Sequence, residues 1–262
     1  ESVLRLFDRC RQQLRRNAGD PAGSKGAAIG RTSSHDCVSS VFDTDGVGQP
    51  DPNRPHELGN LLWATHLSWL HVRHTMDERH LRERLLPLLG DAVRFMLGQL
   101  RQGKDQRLHF PVAVSPEYPT PAPDTNYDLA LVRWGCRALA EAEARLQITS
   151  DTGAHCKRAM PKLAPYPQGE NGLWIGAGVP LAESHRHFSH LLMIYPLRTL
   201  VPDGAANRAL IERSLAHWIS LPGGLQGYSY VGASAISSLL GKGDDAARYL
   251  DELIRRYVKR NT

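Results

Sequence analysis

The stretch ELGNLLWATHLSWLHVRHT, residues 57–75, carries apolar side chains around most of the helix that it predicts. Leucine, tryptophan and valine side chains supply these positions: Leu58, Leu61, Leu62, Trp63, Leu67, Trp69, Leu70 and Val72. A helix that is hydrophobic nearly all round is buried on most sides. The stretch therefore predicts a fold in which helices pack on helices.

Helical periodicity continues on both sides of this stretch. An amphipathic helix is expected to start at Ser2, and Pro87 is well placed as the first residue of another. The helices over 57–102 and 125–146 are expected to lie antiparallel, with their loops on one common rim. The predicted helices cover residues 2–17, 57–75, 87–100, 124–146, 207–219, 228–240 and 244–257, with a further helical segment over 188–195.

Little of the remaining sequence predicts strand. Residues 108–114 alternate apolar and other side chains as a short strand does, while 19–56 and 149–184 read as long connections. The last helix is given an apolar stripe by Ala247, Leu250, Ile254 and Tyr257. About eight helices and a trace of strand place the chain in the all-α class, and helices alternating with long loops suit a toroid of helical hairpins.

Composition is that of an ordinary globular protein. The 262 residues are 41% hydrophobic and 23% charged, so disorder is excluded as the dominant state and a buried core is within reach. The net charge of +5 comes without a basic block, which is poor support for a nucleic-acid partner.

Membrane insertion and a metal-binding cysteine motif are also disfavoured. Residues 214–241 lack charged side chains, but Pro222, Gly223 and Gly224 prevent an apolar helix of about 20 residues. The chain shows no signal peptide and begins with Glu1 rather than Met, which indicates a processed product or an excised segment. The cysteines lack CxxC spacing and are expected to be buried thiols: Cys10, Cys37, Cys136 and Cys156.

The loop SPEYPTPAPDTNYD, residues 115–128, holds a candidate catalytic acid. Prolines flank Glu117 and restrict the positions of its side chain, as a catalytic carboxyl group requires. A surface carboxylate in a stiff loop is the equally weighted alternative. Tyr118 and Tyr127 could stack on a sugar ring or simply pack the loop.

The segment ESHRHFSHL, residues 183–191, concentrates three histidines and an arginine. His187 and His190 would share a face if the segment is helical. A zinc site is one interpretation, but no HExxH or cysteine partner accompanies the histidines. Donors and acceptors for the hydroxyl groups of a sugar, or a buried polar network, fit the segment better.

These motifs resemble the catalytic domain of family-95 glycoside hydrolases, the α-L-fucosidase and α-L-galactosidase group. The resemblance rests on the SPE segment with Asp128 behind it, on HRHFSHL followed by Tyr195-Pro196, and on two weaker patterns. The weaker patterns comprise Trp63, Trp69, His71, Thr75 and Asp77, then Gly227-Tyr228-Ser229 and Gly243-Asp244. Leu173, where the family places an acidic residue before Trp174, and Tyr228 in place of Trp are departures.

The resemblance implies a fold, a reaction and a set of site residues. The fold is an (α/α)6 toroid, of which residues 1–262 would be an interior portion of a single domain. The reaction is inverting glycoside hydrolysis of an oligosaccharide substrate, with Glu117 as general acid and no cofactor or metal. Substrate binding is assigned to these residues: His185, Arg186, His187, His190, Asp128, Trp174 and His71. Asp128 is alternatively expected to cap its helix or support the site.

Further expectations follow from that assignment. Partial burial is expected to raise the pKa of Glu117, and Glu117 and the histidine segment are expected to converge. The family's asparagine pair would precede Glu1 and its general base would follow Thr262, so the isolated chain is expected to be loosely folded and barely active.

Extracellular or periplasmic location is implied by the resemblance alone. A noncatalytic carbohydrate-binding or scaffold module and a zinc-dependent hydrolase using His185, His187 and His190 remain alternatives.

Overall fold

Helices account for most of the chain in the computed structural model. The structure describes residues 2–19, 23–31, 33–38 and 56–259, without the side chains of residues 2–4 and 8. The all-α class predicted from sequence is confirmed. The described helices are α1 (Ser2–Arg9), α2 (Arg11–Asn17), α3 (Asn60–Thr75), α4 (Glu78–His80), α5 (Leu86–Gln99), α6 (Asn126–Leu146), α7 (Asp151–Ala159), α8 (Gly204–Ser220), α9 (Gly227–Leu239) and α10 (Gly243–Tyr257).

Strand is confined, within these residues, to two small antiparallel pairs. Strand β1 (Arg101–Gln102) pairs with β2 (Leu108–His109), and β3 (Gln168–Gly169) pairs with β4 (Gly172–Leu173). The strand predicted over 108–114 is therefore wrong beyond His109. Its expected alternation fails as well, because Phe110 is buried while Val112 is 53% exposed.

The chain divides into two compact units. Unit 1 comprises Glu1–Val114 and Leu131–Pro165, and unit 2 comprises Ser115–Ala130 and Tyr166–Thr262. The predicted connection over 19–56 lies partly outside the described residues. Among the described residues, none of the helices combines the length and the hydropathy that a membrane-spanning segment requires.

Unit 1 is built around α3, α5 and the later turns of α6. A Cβ at Gly135 of α6 would lie 2.9 Å from Leu62 of α3 and 3.0 Å from Val93 of α5, so the glycine allows these helices to approach closely. Buried Asp91 on α5 accepts hydrogen bonds from Arg11, Arg15 and Arg94. These charge-assisted bonds fix α2 against α5.

The helix expected to begin at Pro87 begins earlier. Residues Leu81–Leu85 form a π-helical turn that joins α4 to α5, and the Leu86 N–H bonds to the Leu81 carbonyl. Proline inside a helix lacks a donor and clashes with the preceding turn. The wider π turn directly before Pro87 accommodates that proline without ending the helix.

The expectation of four buried thiols is wrong for two cysteines. Cys136 on α6 and Cys156 on α7 form a disulfide with a Cα–Cα distance of 5.5 Å. The two cysteines are 20 residues apart, and their pairing depends on how α7 folds back on α6. No local sequence motif therefore predicts the disulfide. Cys10 and Cys37 are free and buried, as expected.

Unit 2 contains β3, β4 and α8–α10, with α9 and α10 packed together. The predicted stripe on α10 is wrong, since Leu250 is 46% and Ile254 60% exposed. Ala246 and Tyr249 are buried instead, one position away from the predicted Ala247 and Leu250. The helical segment expected over 188–195 contains a 3₁₀ turn, Ser189–Leu191, followed by further turns.

Candidate active site

The loop that carries Glu117 is fixed within unit 2 by hydrogen bonds. The buried Ser115 hydroxyl lies 2.8 Å from that of Ser189. The buried Tyr118 hydroxyl donates to the Pro180 carbonyl and accepts from the Ala182 N–H, at 3.4 and 3.0 Å. Glu117 itself has a φ of 58°, a left-handed conformation that side chains rarely adopt. The loop therefore presents its carboxylate from a constrained backbone.

Three nitrogen atoms surround one oxygen of Glu117. Arg186 Nε lies 2.7 Å and Arg186 Nη2 2.5 Å from Oε2, and His187 Nε2 lies 2.7 Å from the same atom. The predicted convergence of Glu117 with the histidine segment is confirmed. The two motifs, about 70 positions apart in the chain, form one cluster.

The expected rise in the Glu117 pKa is wrong. Hydrogen bonding by Arg186, with support from His187, lowers the pKa of Glu117 to about 2, although desolvation acts in the opposite direction. The side chain is 26% exposed, so burial is too incomplete to outweigh a guanidinium in contact. Glu117 is ionised at neutral pH in this arrangement.

His185 is buried beside Glu117 and neutral. Its ring lies edge-on to Tyr118 and to His187, at centroid distances of 5.5 and 5.7 Å. Burial lowers its pKa to about 4, and the ring hydrogen-bonds to the Pro116 backbone. Nε2 is buried and has no hydrogen-bond partner among the residues that the structure describes, so Nδ1 makes the bond to Pro116. A neutral ring that donates through Nδ1 presents Nε2 as an acceptor.

His190 does not share a face with His187, contrary to the expectation for a helical segment. It is 1% exposed, and its ring lies edge-on to Trp218 at 6.3 Å. Burial lowers the pKa of His190 to about 3, so its ring is neutral. The 3₁₀ turn at Ser189–Leu191 turns His190 into the core, whereas His187 precedes that turn.

Aromatic side chains that the sequence did not assign to the site support this segment. Phe188 stacks on Tyr228 at 4.8 Å, and the His187 ring lies 5.8 Å from Tyr228. Trp218 Nε1–H donates to the His185 carbonyl at 2.7 Å. The motif Gly227-Tyr228-Ser229 could have identified Tyr228 as a residue of the site. No local sequence pattern identifies Trp218 of α8.

The remaining predicted site residues are distributed more widely. Asp128 is fully buried, and its carboxylate accepts a 2.7 Å hydrogen bond from the Thr125 hydroxyl. The same hydroxyl accepts a hydrogen bond from the Asp128 backbone N–H at the start of α6. Trp174 lines a cavity of about 280 Å³ together with Glu170, Asn171 and His217. The lining of this cavity does not include Glu117 or the three histidines. His71 belongs to unit 1, where its ring contacts His80 at 4.8 Å.

The zinc interpretation of the histidine segment gains no support. In the described ranges, His185, His187 and His190 do not bring three ligand atoms together, whereas His71, Asp77 and His80 do. His190 faces the core beside Trp218, and His187 is bonded to Glu117. The segment is therefore arranged for hydrogen bonding.

A family comparison agrees with this geometry. The model described as "Glycosyl hydrolase family 95 catalytic domain" matches residues 1–262. The chain belongs to this family. The glycoside hydrolase class expected from the SPE and HRHFSHL motifs is thus confirmed at the level of the family.

Two curated proteins show sequence similarity to this family-95 chain. "Alpha-L-fucosidase 2" of Arabidopsis thaliana is 28% identical over 159 residues, which cover 56% of this chain and 19% of that protein. "Pyridoxine 5'-phosphate synthase" of Geobacter sulfurreducens is 29% identical over 117 residues, covering 43% of this chain and 48% of that protein. The chain thus spans about a fifth and about half of these relatives. The second match covers too little of either chain to indicate a family.

A solved structure shares the fold of the family-95 chain. "Putative kojibiose phosphorylase from human microbiome" matches with a TM-score of 0.64 and 12% identity, covering 95% of this chain and 40% of that one. At this identity the likeness concerns the fold alone. It supports the helical toroid class that the sequence resemblance implies.

Proposed function

We propose that the chain carries the proton-donating part of a glycoside hydrolase active site that acts on terminal α-L-fucosyl or α-L-galactosyl residues of an oligosaccharide. The observation that carries this proposal is the contact of Glu117 with Arg186 and His187. Beside it lies His185, whose Nε2 has no hydrogen-bond partner within the described residues. The name of the Arabidopsis relative supports the fucosyl group as the first substrate to test. The general base is left unassigned.

Glu117 is the proposed general acid. Its proton passes to the glycosidic oxygen as the bond from that oxygen to the anomeric carbon breaks, while water attacks this carbon from the opposite face and loses its proton to the base. Arg186 is 55% exposed, so a bound sugar can draw its guanidinium away from Glu117. Loss of that contact and exclusion of water both raise the pKa of the carboxyl group.

The polar groups around Glu117 are proposed to bind sugar hydroxyls. His185 Nε2 accepts a hydrogen bond from one hydroxyl, and Arg186 donates to another. His187 bonds a further hydroxyl through the ring nitrogen that does not contact Glu117. Tyr228, 44% exposed, offers a face on which the ring can rest. Trp174 is proposed to contact the sugar beyond the bond that is cleaved.

His190 and Asp128 are proposed to position the site from the core. Both are almost completely buried, and Asp128 is hydrogen-bonded to Thr125 at the start of α6. Neutral His190 lies behind the segment that presents Arg186 and His187. A sugar-binding role for His71 stays a prediction.

Carbohydrate binding without turnover is the second candidate function. The low pKa of Glu117 favours it, because a carboxylate held by Arg186 has no proton to donate near neutral pH. Binding and catalysis make different predictions for Glu117→Gln. A binding module keeps its affinity for the sugar in either form and shows no hydrolysis in either form.

The experiment is hydrolysis of aryl α-L-fucosides and α-L-galactosides by a protein that contains this chain in its natural reading frame. We expect turnover of at least one of these substrates, with the inverted sugar as first product by NMR. Glu117→Gln should lower the rate by about 10²–10⁴-fold. Glu183→Gln, an exposed glutamate close in sequence to the histidine segment, is the matched control and should leave the rate unchanged. Substrate binding with no turnover would overturn the catalytic proposal.

An oxidising compartment, extracellular or periplasmic, is the proposed location. The Cys136–Cys156 disulfide supports it, because disulfides persist outside the reducing cytosol. Thiol titration of the unfolded protein isolated from its natural compartment should find two free thiols among the four cysteines. Four titratable thiols would contradict this proposal.

A further inference from the structure

A second cluster of titratable side chains lies in unit 1, at the corner between α3 and α4. Met76 has a φ of 58° and ends α3, so the chain reverses over two residues. This turn brings His71 of α3 beside His80 of α4, with ring centroids 4.8 Å apart. Asp77 lies between them in sequence and accepts the His80 N–H through Oδ1 at 2.9 Å.

The three side chains have the chemistry of a metal-binding set. One ligand atom from each of His71, Asp77 and His80 lies within 4.8 Å of the other two. Around tetrahedral zinc with ligands at 2.0–2.1 Å, such atoms are about 3.4 Å apart, so each pair has to close by up to about 1.4 Å. His71 is half-buried and Asp77 exposed, which leaves a path from solvent and room for water as a fourth ligand.

Surrounding groups hold the deepest ligand in place. His80 is 6% exposed, and its Nε2 lies 2.9 Å from the Ser68 hydroxyl on α3. A hydrogen bond to one ring nitrogen fixes the orientation of a ligating histidine and is the usual companion of metal-bound imidazole. The 2.9 Å hydrogen bond from the His80 backbone N–H to Oδ1 of Asp77 holds the carboxylate at this corner and leaves Oδ2 for a cation.

We propose that His71, Asp77 and His80 bind a divalent cation of the zinc class and thereby clamp α3 to α4. Two imidazoles and one carboxylate suit zinc and its late transition-metal neighbours better than magnesium or calcium, which prefer oxygen ligands. The site is distinct from the Glu117 cluster and does not depend on the proposed hydrolase activity.

The test is calorimetric titration of the tag-free protein with zinc chloride. We expect saturable binding of one zinc ion per chain that millimolar magnesium does not displace. Asp77→Asn and His71→Gln should each weaken this binding at least about tenfold. Asparagine retains the capping of α4, so Asp77→Asn is expected to fold. His74→Gln removes an exposed histidine of the same helix, outside the cluster, and is the matched control.

Several outcomes would overturn the proposal. They are the absence of saturable zinc binding, wild-type affinity in both ligand variants, displacement by magnesium, or an equal loss of affinity in His74→Gln. Cobalt(II) gives a readout on the unmodified chain that does not require any variant to fold. Intense visible absorption on cobalt addition, abolished by equimolar zinc, is expected for nitrogen and oxygen ligands at one tetrahedral site. Weak absorption typical of hydrated cobalt would contradict the assignment.

Discussion

The charge state of Glu117 is decided by two side chains rather than by burial. Arg186 and His187 both contact Oε2, and their attraction for the carboxylate outweighs the effect of its partial desolvation. Release of Arg186 is therefore a required step if Glu117 is to donate a proton. His185 differs, because burial keeps its ring neutral and leaves Nε2 as an acceptor.

Replacing Arg186 tests this account of the carboxylate. Arg186→Gln removes the guanidinium that favours the ionised form, so the pKa of Glu117 should rise from about 2 toward its ordinary value of 4.5. NMR titration of the Glu117 carboxyl carbon measures the change. Arg213→Gln, an exposed arginine on α8, should leave the pKa where it is. An unchanged pKa in Arg186→Gln would contradict the proposed control by Arg186.

The sequence predicts those site residues that belong to a local motif. Glu117, Arg186 and His187 stand in the SPE and HRHFSHL segments, and the structure brings all three together. The direction of the Glu117 pKa shift was not predictable, because it depends on a contact between residues about 70 positions apart. Trp218 was missed for the same reason, since its bond to the His185 carbonyl joins distant segments.

At the scale of elements, helix α9 supports the histidine segment through close packing. Ser229 donates to the Arg186 carbonyl at 2.7 Å. A Cβ at Gly232 would lie 2.9 Å from Cζ of Phe188 and closer still to two other carbons of that ring. The absence of a side chain at Gly232 therefore allows α9 to approach the segment that carries Arg186 and His187.

Two glycine substitutions should have opposite effects on stability. Gly232→Ala overpacks the contact with Phe188 and should lower the free energy of unfolding by about 1–3 kcal/mol. Gly90→Ala, inside α5 with open space around its Cβ position, should raise it by about 0.5–1 kcal/mol. Urea denaturation of both variants measures the two changes. Equal effects of the two substitutions would refute the packing role of Gly232.

Helices with a clear hydrophobic periodicity were the ones that the sequence predicted well. Helix α6 was expected over 124–146 and spans Asn126–Leu146, because Leu129, Val132 and Leu139 repeat at helical spacing and are all buried. Helix α10 was also found, but its buried face was predicted one position away. The periodicity of α10 is compatible with two buried faces that differ by one position in the sequence. Packing against α9 selects the face that contains Tyr249.

At the scale of the molecule, buried neutral histidines make stability depend on pH. Burial lowers the pKa of His66 in unit 1 to about 4, and those of His185 and His190 in unit 2 to about 4 and about 3. In the unfolded chain these groups have the ordinary value of 6.5. Between these values the unfolded state binds more protons than the folded state, so stability rises with pH.

The free energy of unfolding should therefore fall as pH is lowered from 7 to 5, before most carboxylates titrate. Urea denaturation at several pH values measures the slope. His66→Leu removes one of the titrating groups and should make the slope shallower, whereas His74→Gln on the exposed surface should not. A stability that is flat between pH 7 and pH 5 would contradict the assignment of neutral buried histidines.

The central claim is that Glu117 donates a proton to the leaving group in a family-95 glycosidase site. The most direct test compares wild-type and Glu117→Gln rates on aryl α-L-fucosides whose leaving phenols range from basic to acidic. A proton donor is needed for a basic leaving group and hardly at all for an acidic one. We predict a large loss with phenyl fucoside and a small loss with dinitrophenyl fucoside. An equal loss across the series would contradict the claim.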